Sequence, residues 1–509
     1  MRGTATAPSP STTDTAGAPL DQSQAPMLDG IRRFRDLGAV PFSTPGHKMG
    51  VGAAPELVDL FGIDALRNDV PHGGGIDDTH FNGGILEEAE RLAAAAFGAE
   101  RTFFLVNGST AGNLAVMLAT VGPGDEVIVA RDIHKSILLA LIFSGAKPVY
   151  VAPRLHPTEN IGLGIEPATV AAALDAHPRA KLVVVVSPSY CGVASDLAAI
   201  AEVAHARGVP VHVDEAWGPH FHFHPALPPS AMASGVDSAV SSAHKVLGSF
   251  TQGAFLNLQG PRIDPARVKS TVGMAQTTSP SAMIFASVDA ARRQMALHGE
   301  SLLDRTVAFA SDARRRLRTI PGVCILDGES LDVPAYDLTK LVIDVDGLGL
   351  TGFEAEHELR NRLGIAPESS DLAGVVCLVT IGDTASSIGR LVDAFEQLSR
   401  ERGNRAHRDG AGLRSSGAVI SPGVQAMTPR EAFFAPSRAV APADAVGEVS
   451  AELVIPYPPG IPVLAPGDVI TSEKIAFLRE GAAQGMYLSG PIDQSLATIR
   501  VVDQAAPGR

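Results

Sequence analysis

The feature that most constrains the fold is a regular alternation of short apolar runs and helical patterns between residues 101 and 260. Such alternation is typical of βαβ units, whose strands form a parallel sheet. The valine-rich run Lys181–Ser187 is apolar on both faces, as expected for a central strand. We therefore predict an α/β fold with a mostly parallel sheet. The predicted strands are Thr102–Val106, Glu126–Ala130, Pro148–Ala152, Lys181–Ser187, Val209–Val213 and Ser238–Ala243, and the predicted helices are Asn113–Thr120, His134–Ser144 and Asp196–Arg207.

A chain of 509 residues is too long for one hydrophobic core, so several domains are expected. After about residue 300 the pattern changes to that of a smaller α+β domain. Its predicted elements are helix Leu302–Leu317, strand Lys340–Val345, helix Gly352–Leu363, strand Val375–Thr380 and helix Ser386–Leu398. The predicted organisation is a disordered tail (1–26), a large domain with an N-terminal segment (27–300), a small α+β domain (301–400), a linker (401–420) and a C-terminal module (421–509).

Composition excludes several classes of function. The net charge of −14 and the lack of a basic stripe with interleaved aromatics predict no nucleic-acid partner. Cys191, Cys324 and Cys377 have no close Cys/His spacing, so we expect no disulfide framework, no metal site and a reducing cytoplasmic location. The longest uncharged apolar run, Ile137–Phe143, is far short of the roughly 20 residues that span a bilayer, so no membrane association is expected. The acidic surface either attracts a cationic substrate or only keeps the protein in solution.

Two ionisable residues follow predicted strands in a way that suits covalent cofactor chemistry. Lys245 comes after strand Ser238–Ala243 beside small residues and His244, where partial desolvation would lower its pKa and favour a Schiff base. Asp214 ends strand Val209–Val213 at the carboxyl edge, where ligands bind in open α/β sheets. Taken singly, a lysine in such a place is more often a surface residue, and an aspartate is more often a helix cap or strand end.

A phosphate cradle and a ring-stacking residue complete the pattern. Gly108-Ser109-Thr110 lies between a strand and a helix, where backbone N–H groups and hydroxyls can hold a phosphate or simply cap the helix. His134 opens a helix after a strand and can stack on a ring or serve structure alone. The order of cradle, histidine, Asp214 and Lys245 at strand ends of one sheet predicts a site for pyridoxal 5'-phosphate (PLP).

These residues resemble those of the Orn/Lys/Arg decarboxylases of PLP fold type I. The resemblance is carried by Ser109-Thr110, His134-Lys135-Ser136, Asp214-Glu215-Ala216 and Ser242-Ala243-His244-Lys245. It extends to Thr44-Pro45-Gly46-His47-Lys48 near the N-terminus, Gln276–Ser281 after the lysine, and Ala451-Glu452 with Pro456–Pro462 near the C-terminus. The resemblance covers about residues 30–475. It implies a large domain of the aspartate aminotransferase type, with a mostly parallel sheet, a smaller α+β domain and a C-terminal module.

The resemblance also implies a role for each matching residue. Lys245 would form the Schiff base with PLP, Asp214 would bind the pyridine nitrogen, and His134 would stack on the ring. His244 would also assist protonation. The cofactor-binding residues implied are Ser109, Thr110, His134, Asp214, Trp217, Ser242, His244, Lys245, Thr278 and Ser279.

The PLP site of this fold lies at a dimer interface. A homodimer is therefore the smallest assembly expected, and higher homo-oligomers are compatible with it. Thr278 and Ser279 are expected to serve the neighbouring subunit's site.

The implied reaction is decarboxylation of a basic L-amino acid, with release of carbon dioxide and a polyamine-type amine. Similarity to the shorter family members favours arginine over lysine or ornithine. A carboxylate is expected to meet the distal cation of the substrate. The substrate-contact candidates are His47, Lys48, Glu368, Asp371 and Glu452.

Two other functions stay open at this point. An aminotransferase or an oxidase of a basic amino acid would use the same cofactor, and a non-catalytic homologue would keep the fold alone. Trp217 stands where many members have histidine, although some branches have tryptophan. Val70-Pro71 replaces a common Thr-Glu pair before Asp77-Asp78-Thr79-His80. Both departures bear on substrate choice and reaction outcome.

Overall fold

The structure is a computed structural model that describes residues 20–71, 76, 84–157, 161–402, 423–456 and 460–504. Its central element is a seven-stranded sheet of order β1-β7-β6-β5-β4-β2-β3. Strand β2 pairs parallel with β3 and β4, whereas β7 pairs antiparallel with β1 and β6. The predicted α/β class with a mostly parallel sheet is confirmed. The strands are β1 Arg101–Leu105, β2 Glu126–Ala130, β3 Lys147–Val151, β4 Leu182–Val186, β5 Val211–Asp214, β6 Ser238–Ser241 and β7 Ala254–Leu258.

All six strands predicted for the large domain form, with ends that differ by up to two residues. Strand β4 consists of leucine and four valines and is almost wholly buried, because β-branched side chains pack well on both faces of a covered sheet. Strand β5 starts at Val211 rather than Val209, since Pro210 has no N–H to donate to a ladder. Strand β6 stops at Ser241 because Ala243 already begins a helical turn. Strand β7 was not predicted.

Sixteen α-helices lie in the described segments, and none of these combines the length and apolar character needed to cross a bilayer. They are α1 Pro26–Asp36, α2 Pro55–Phe61, α3 Ile63–Asn68, α4 Ile85–Phe97, α5 Gly108–Thr120, α6 Lys135–Ser144, α7 Pro167–Ala176, α8 Leu197–His205, α9 Ala243–Val246, α10 Pro265–Ala275, α11 Ala282–Leu317, α12 Gly352–Asn361, α13 Ala385–Arg402, α14 Pro429–Phe434, α15 Pro442–Ala445 and α16 Ser472–Ala483.

The largest error of the sequence prediction concerns α11. This helix has 36 residues and begins at Ala282, 20 residues before the predicted start at Leu302. Gly299 lies inside it, and glycine ordinarily disfavours a helix interior. Here a Cβ at Gly299 would come within 2.9 Å of the Phe223 side chain, so the glycine permits close packing against that ring. Tertiary contact therefore overrides the local propensity.

The chain folds into two compact units. The first consists of the chain up to Ala119, Asp214–Pro225 and Pro229–Leu302, and the second consists of Thr120–Val213, Ala226–Pro228 and the chain from Leu303 onward. The second unit contains an antiparallel sheet of order β10-β11-β9-β8 and two short ribbons, β12 with β15 and β13 with β14. These strands are β8 Cys324–Leu326, β9 Lys340–Asp344, β10 Ser369–Ser370, β11 Gly374–Leu378, β12 Ser437–Val440, β13 Ile455–Pro456, β14 Leu488–Ser489 and β15 Ile499–Val502.

The predicted five-part domain division stays a prediction. Most of its linker lies outside the described residues, and the preceding helix α13 continues to Arg402, four residues beyond the predicted end at Leu398. Apart from α11 and α13, the predicted small-domain elements form with ends that differ by up to two residues.

Residues 20–26, which were predicted to belong to the N-terminal tail, are bonded to helix α11. Arg292 and Asp289, both fully buried in α11, form an ion pair. Arg292 also donates to the backbone oxygen of Gln22 at 2.9 Å, and Asp289 accepts from the backbone N–H of Met27 at 3.0 Å. These bonds to the backbone hold a segment whose composition had indicated disorder. Residues 1–19 lie outside the described part of the chain.

A buried charge cluster joins the end of β2 to the C-terminal part of the second unit. Arg131, the residue after β2, donates to the Asp468 carboxylate at 2.9 Å, and Lys474 of α16 donates to the same oxygen at 3.2 Å. All three side chains are 98% or more buried. Asp468 thus stabilises two cations that the surrounding apolar residues cannot solvate.

We expect Asp468→Ala to lower the free energy of unfolding by about 3–5 kcal/mol, because it leaves buried cations without their partner. The matched control is Asp175→Ala, which removes the exposed Arg207–Asp175 pair. That control is expected to cost about 0.2–1 kcal/mol. Urea titration of both variants measures the difference, and similar losses would contradict this account of the cluster.

Candidate active site

Asp214 ends β5 as a buried carboxylate with defined hydrogen bonds. Its side chain accepts from the Asn113 amide at 2.9 Å and from the backbone N–H of Ala216 at 3.2 Å. The two donors occupy different oxygens, and an ionised carboxylate has about four acceptor positions. Asp214 can therefore take a further donor, such as a protonated ring nitrogen. Asn113 belongs to α5, and its contribution was not predicted.

The predicted phosphate cradle forms at the start of α5. Gly108 adopts φ +69°, which glycine allows, and the helix begins there instead of at the predicted Asn113. The Ser109 hydroxyl is hydrogen-bonded to the Ser242 hydroxyl at 2.7 Å, although the two residues are far apart in sequence. Thr110 is exposed on the same turn. Two hydroxyls and the N–H groups of a helix start suit an anionic group.

Lys245 lies in the short helix α9 with its ammonium 3.9 Å from the centroid of the Trp217 ring. A cation over an aromatic face is attracted by the ring quadrupole, so Trp217 helps to orient the lysine. Tryptophan at this position, the departure noted in the sequence, therefore contacts a predicted catalytic group directly. Trp217 itself is buried.

The ring of His244 is held by a hydrogen bond to the backbone carbonyl of Gly253. Its Nδ1 lies 3.0 Å from the carbonyl oxygen of Gly253, and since a carbonyl only accepts, Nδ1 carries the proton. Burial lowers the pKa of His244 from its usual value, with a smaller opposing effect of the Gly253 carbonyl and a small lowering by Lys245. In the neutral ring Nε2 is then a proton acceptor.

Glu215 follows Asp214 but points to different partners. One carboxyl oxygen accepts from the backbone N–H of Ala231 at 2.7 Å, and the other is 3.0 Å from the Ser241 hydroxyl. Burial raises the pKa of Glu215 to about 8. The sequence predicted no function for Glu215 beyond its place in the Asp-Glu-Ala motif.

Thr278 and Ser279 lie in the exposed segment between α10 and α11. Gln276, which precedes them, accepts from the backbone N–H of Val106 at 2.7 Å and so holds this segment near the end of β1. That anchoring residue was not predicted. The role of Thr278 and Ser279 in a neighbouring subunit's site stays a prediction.

His134 caps α6 in the second unit. Its Nδ1 accepts from the backbone N–H of Ser136 at 3.2 Å, so the proton of the neutral ring is on Nε2. The first unit holds Lys245, Asp214, Ser109 and Ser242, and the described contacts of His134 are those of its own helix start. Its stacking role stays a prediction.

His47 and Lys48 form part of a tight turn in the first unit. His47 accepts from the backbone N–H of Gly50 at 3.1 Å through Nδ1, and its Nε2 is 3.2 Å from the Asp69 carboxylate. Lys48 and Met49 both have positive φ, 51° and 56°, and the Lys48 ammonium donates to the backbone oxygen of Ser43. Both ring nitrogens of His47 have structural partners. Substrate contact by this pair stays a prediction, and Asp77–His80 lies outside the described residues.

The three candidate carboxylates for the substrate differ in their surroundings. Glu452 is buried and accepts from the backbone N–H groups of Ile492 at 3.0 Å and Arg500 at 2.7 Å, which occupies both of its oxygens. Glu368 and Asp371 are exposed. The pKa of Tyr190 is raised chiefly by burial and further by the charges of Glu368 and Asp371, which places these two carboxylates near that ring. Contact of any of the three with the substrate stays a prediction.

The first unit therefore contains a lysine, a hydrogen-bonded aspartate and a hydroxyl-lined helix start, which are groups that fit PLP. The strongest single observation in favour of a PLP site is that Asp214 is buried and can still accept a further hydrogen bond. Within the described ranges no three His, Cys, Asp or Glu side chains are grouped so as to hold a metal ion.

Comparison with known proteins adds the following sequence matches. The sequence pattern of the Orn/Lys/Arg decarboxylase major domain matches residues 25–336, and that of the C-terminal domain of the same family matches residues 417–485. Arginine decarboxylase of Halalkalibacterium halodurans is 42% identical over 488 residues, which cover 95% of this chain and 98% of the relative. Arginine decarboxylase of Bacillus subtilis is 39% identical over 488 residues, covering 95% and 99%.

Solved structures show the same fold. Lysine decarboxylase A from Pseudomonas aeruginosa matches with a TM-score of 0.80 at 23% identity, covering 94% of this chain and 81% of that one. Serine palmitoyltransferase of Sphingomonas wittichii matches with a TM-score of 0.52 at 18% identity, over 70% of this chain and 86% of that one. The predicted PLP fold type I architecture is confirmed.

We expect Asn113→Ala to lower the free energy of unfolding by about 1.5–3 kcal/mol, because it removes a hydrogen bond to a buried charged carboxylate. Ser109→Ala is the matched control, since it removes a buried hydrogen bond between two neutral hydroxyls. That control is expected to cost about 0.5–1.5 kcal/mol. Urea titration compares the two, and an Asn113→Ala loss no larger than the Ser109→Ala loss would contradict the importance of the Asp214 bond.

Proposed function

The chain belongs to the Orn/Lys/Arg decarboxylase family, and we propose that it uses PLP to decarboxylate L-arginine to carbon dioxide and agmatine. The observation that carries the choice of arginine is its similarity to arginine decarboxylases, at 42% and 39% identity over nearly the full lengths of both chains. The same similarity favours a decarboxylase over an aminotransferase, an oxidase or a non-catalytic homologue.

Each site residue of the first unit has its own role in the proposed reaction. Bound PLP supplies an electron sink for the electron pair that stays behind when the α-carboxylate leaves as carbon dioxide. Lys245 holds the cofactor covalently, and Asp214 keeps the ring nitrogen protonated by accepting its hydrogen bond. Ser109 and Ser242 bind the phosphate. Lys245 returns a proton from its ammonium to the α-carbon, or His244 returns one from Nε2 after that atom has taken up a proton from solvent.

Glu368 is the residue that we propose to bind the guanidinium of the substrate. It is exposed, it lies near Tyr190, and the second carboxylate Asp371 adds negative charge beside it. A planar guanidinium is matched by a carboxylate that can accept two parallel hydrogen bonds. Glu452, in contrast, is buried, and each of its carboxylate oxygens is bonded to a backbone N–H group. The net charge of −14 also favours a cationic substrate.

A homodimer accounts for the exposed apolar side chains of the N-terminal segment. Helix α2 has no buried residue, and Leu60 at its end is 76% exposed. Phe42 and Val51 nearby are 94% and 90% exposed. Large apolar side chains grouped in this way are typical of interfaces, so a second copy would cover them.

We also propose a cytoplasmic location. Cys191, Cys324 and Cys377 form no disulfide in the structure. Reduced cysteines suit a reducing compartment.

We expect the purified protein, incubated separately with arginine, lysine and ornithine, to form agmatine and carbon dioxide from arginine fastest. Lys245→Ala should lose both the visible absorbance of the lysine-bound cofactor and all amine formation, because it removes the covalent attachment. Amine chromatography and a carbon dioxide assay measure the outcome. Formation of a keto acid without amine would favour an aminotransferase, and no product from any of the three would refute the proposal.

We expect Glu368→Gln to raise the KM for arginine at least about 10-fold, since an ion pair to the guanidinium is worth roughly 1.5–3 kcal/mol. The visible absorbance of the bound cofactor should not change. Glu452→Gln is the control, and its main effect should be on thermal stability, because the described hydrogen bonds of the Glu452 carboxylate are to backbone N–H groups. An unchanged KM in Glu368→Gln would rule out this substrate contact.

A further inference from the structure

Glu215 is a buried carboxyl group that the proposed reaction does not use. It is 4% exposed, and its two oxygens meet the backbone N–H of Ala231 and the hydroxyl of Ser241. Both partners are electrically neutral. An ionised carboxylate in such a place is costly unless a cation or several donors compensate for lost water.

Ionisable groups lie on the strands and turns bonded to Glu215, but none of them in the described structure is hydrogen-bonded or ion-paired to it. They are Asp214 at the end of β5, His220 in the turn that follows Glu215, Asp237 before β6, His244 and Lys245 after β6, and His222, whose ring lies 3.4 Å from the Ser230 hydroxyl. Burial lowers the pKa of His222, which favours its neutral form. The adjacent Asp214 would repel a second negative charge. The surroundings of Glu215 therefore favour its protonated form.

The hydrogen bonds of Glu215 connect the parts of the first unit on which the cofactor site is built. Its backbone N–H donates to the Val240 oxygen at 2.9 Å, and its side chain reaches Ser241, the last residue of β6. Ser242 follows and bonds to the Ser109 hydroxyl. Lys245 comes three residues later in α9. Glu215 thus braces the end of β5 against the segment that leads to the lysine.

We propose that Glu215 is a positioning residue held as a neutral carboxylic acid, whose hydrogen bond with the Ser241 hydroxyl fixes the segment from Ser241 to Lys245 relative to Asp214. Its other oxygen accepts from the N–H of Ala231. A neutral Glu215 places no second negative charge next to Asp214 in the chain. The interaction of Asp214 with a protonated ring nitrogen is thereby preserved. The cofactor part of this inference rests on the proposed function, whereas the protonation state does not.

The protonation state is tested by Glu215→Gln in the full-length protein, with the cofactor bound and after its removal. Glutamine has the shape of the neutral acid, and it can donate to Ser241 and accept from Ala231. The pKa of Glu215 is about 8 in the folded protein, above its ordinary value of 4.5, so its stabilising contribution is lost as the pH rises toward 8. The melting temperature of Glu215→Gln minus that of the wild type should therefore increase from pH 5 to pH 8 and level off above. A difference that is constant over this range, or that falls, would overturn the neutral form.

The positioning role is tested by Ser241→Ala and Glu215→Leu, with PLP affinity measured by equilibrium dialysis. Loss of one buried hydrogen bond should weaken PLP binding about 5-fold in Ser241→Ala, since such a bond is worth roughly 1 kcal/mol. Glu215→Gln should bind PLP as the wild type does. If Ser241→Ala melts at a lower temperature but binds PLP with unchanged affinity, the residue is only structural and the positioning role is refuted.

These measurements separate the inference from the proposed function. Melting temperatures and PLP affinity do not depend on which amino acid is decarboxylated, so a failed arginine assay leaves both readouts interpretable. Ser241→Ala is a small change on a strand and keeps the test usable if Glu215→Leu fails to fold.

Discussion

The arrangement of the candidate site depends on the burial of Asp214 at the end of β5. A carboxylate in a low-dielectric environment must find donors within the protein, and Asp214 finds them in Asn113 and the backbone of Ala216. Because Asn113 is on α5, the same bond aligns the helix whose first turn carries Ser109. Satisfying one buried charge thus positions the start of a helix and the end of a strand together.

Two other buried charge clusters serve the framework. Asp468 holds Arg131 and Lys474 in the second unit, and Arg292 with Asp289 holds the ordered part of the N-terminus in the first. Asp468 is far in sequence from Arg131, and Arg292 bonds to the backbone of Gln22, which is far from it in sequence. Buried ion pairs contribute little net stability, but removing one partner is costly, so they specify which segments meet.

The sequence predicted the strands well because their signal is local. Valine-rich runs bounded by glycine and proline mark strands whatever surrounds them, and every predicted strand formed with ends within two residues. Helix α11 was misjudged because its first half is helical through contacts, including the packing of Phe223 against Gly299. The ordered residues 20–26 were missed for the same reason, since Arg292 binds their backbone and their side-chain composition carries no such signal.

By itself the sequence determined the α/β class, the positions of Lys245, Asp214 and Ser109 at strand ends, and the resemblance to decarboxylases, because chain order and residue type are enough for these. Only the tertiary structure decided which side chains meet. It paired Asn113 with Asp214, placed Lys245 over Trp217, bound both oxygens of Glu452 to backbone amides and buried Glu215 between neutral partners. Burial and long-range hydrogen bonds control the charge and the orientation of these side chains. The sequence does not show them, because they depend on residues that are far apart in the chain.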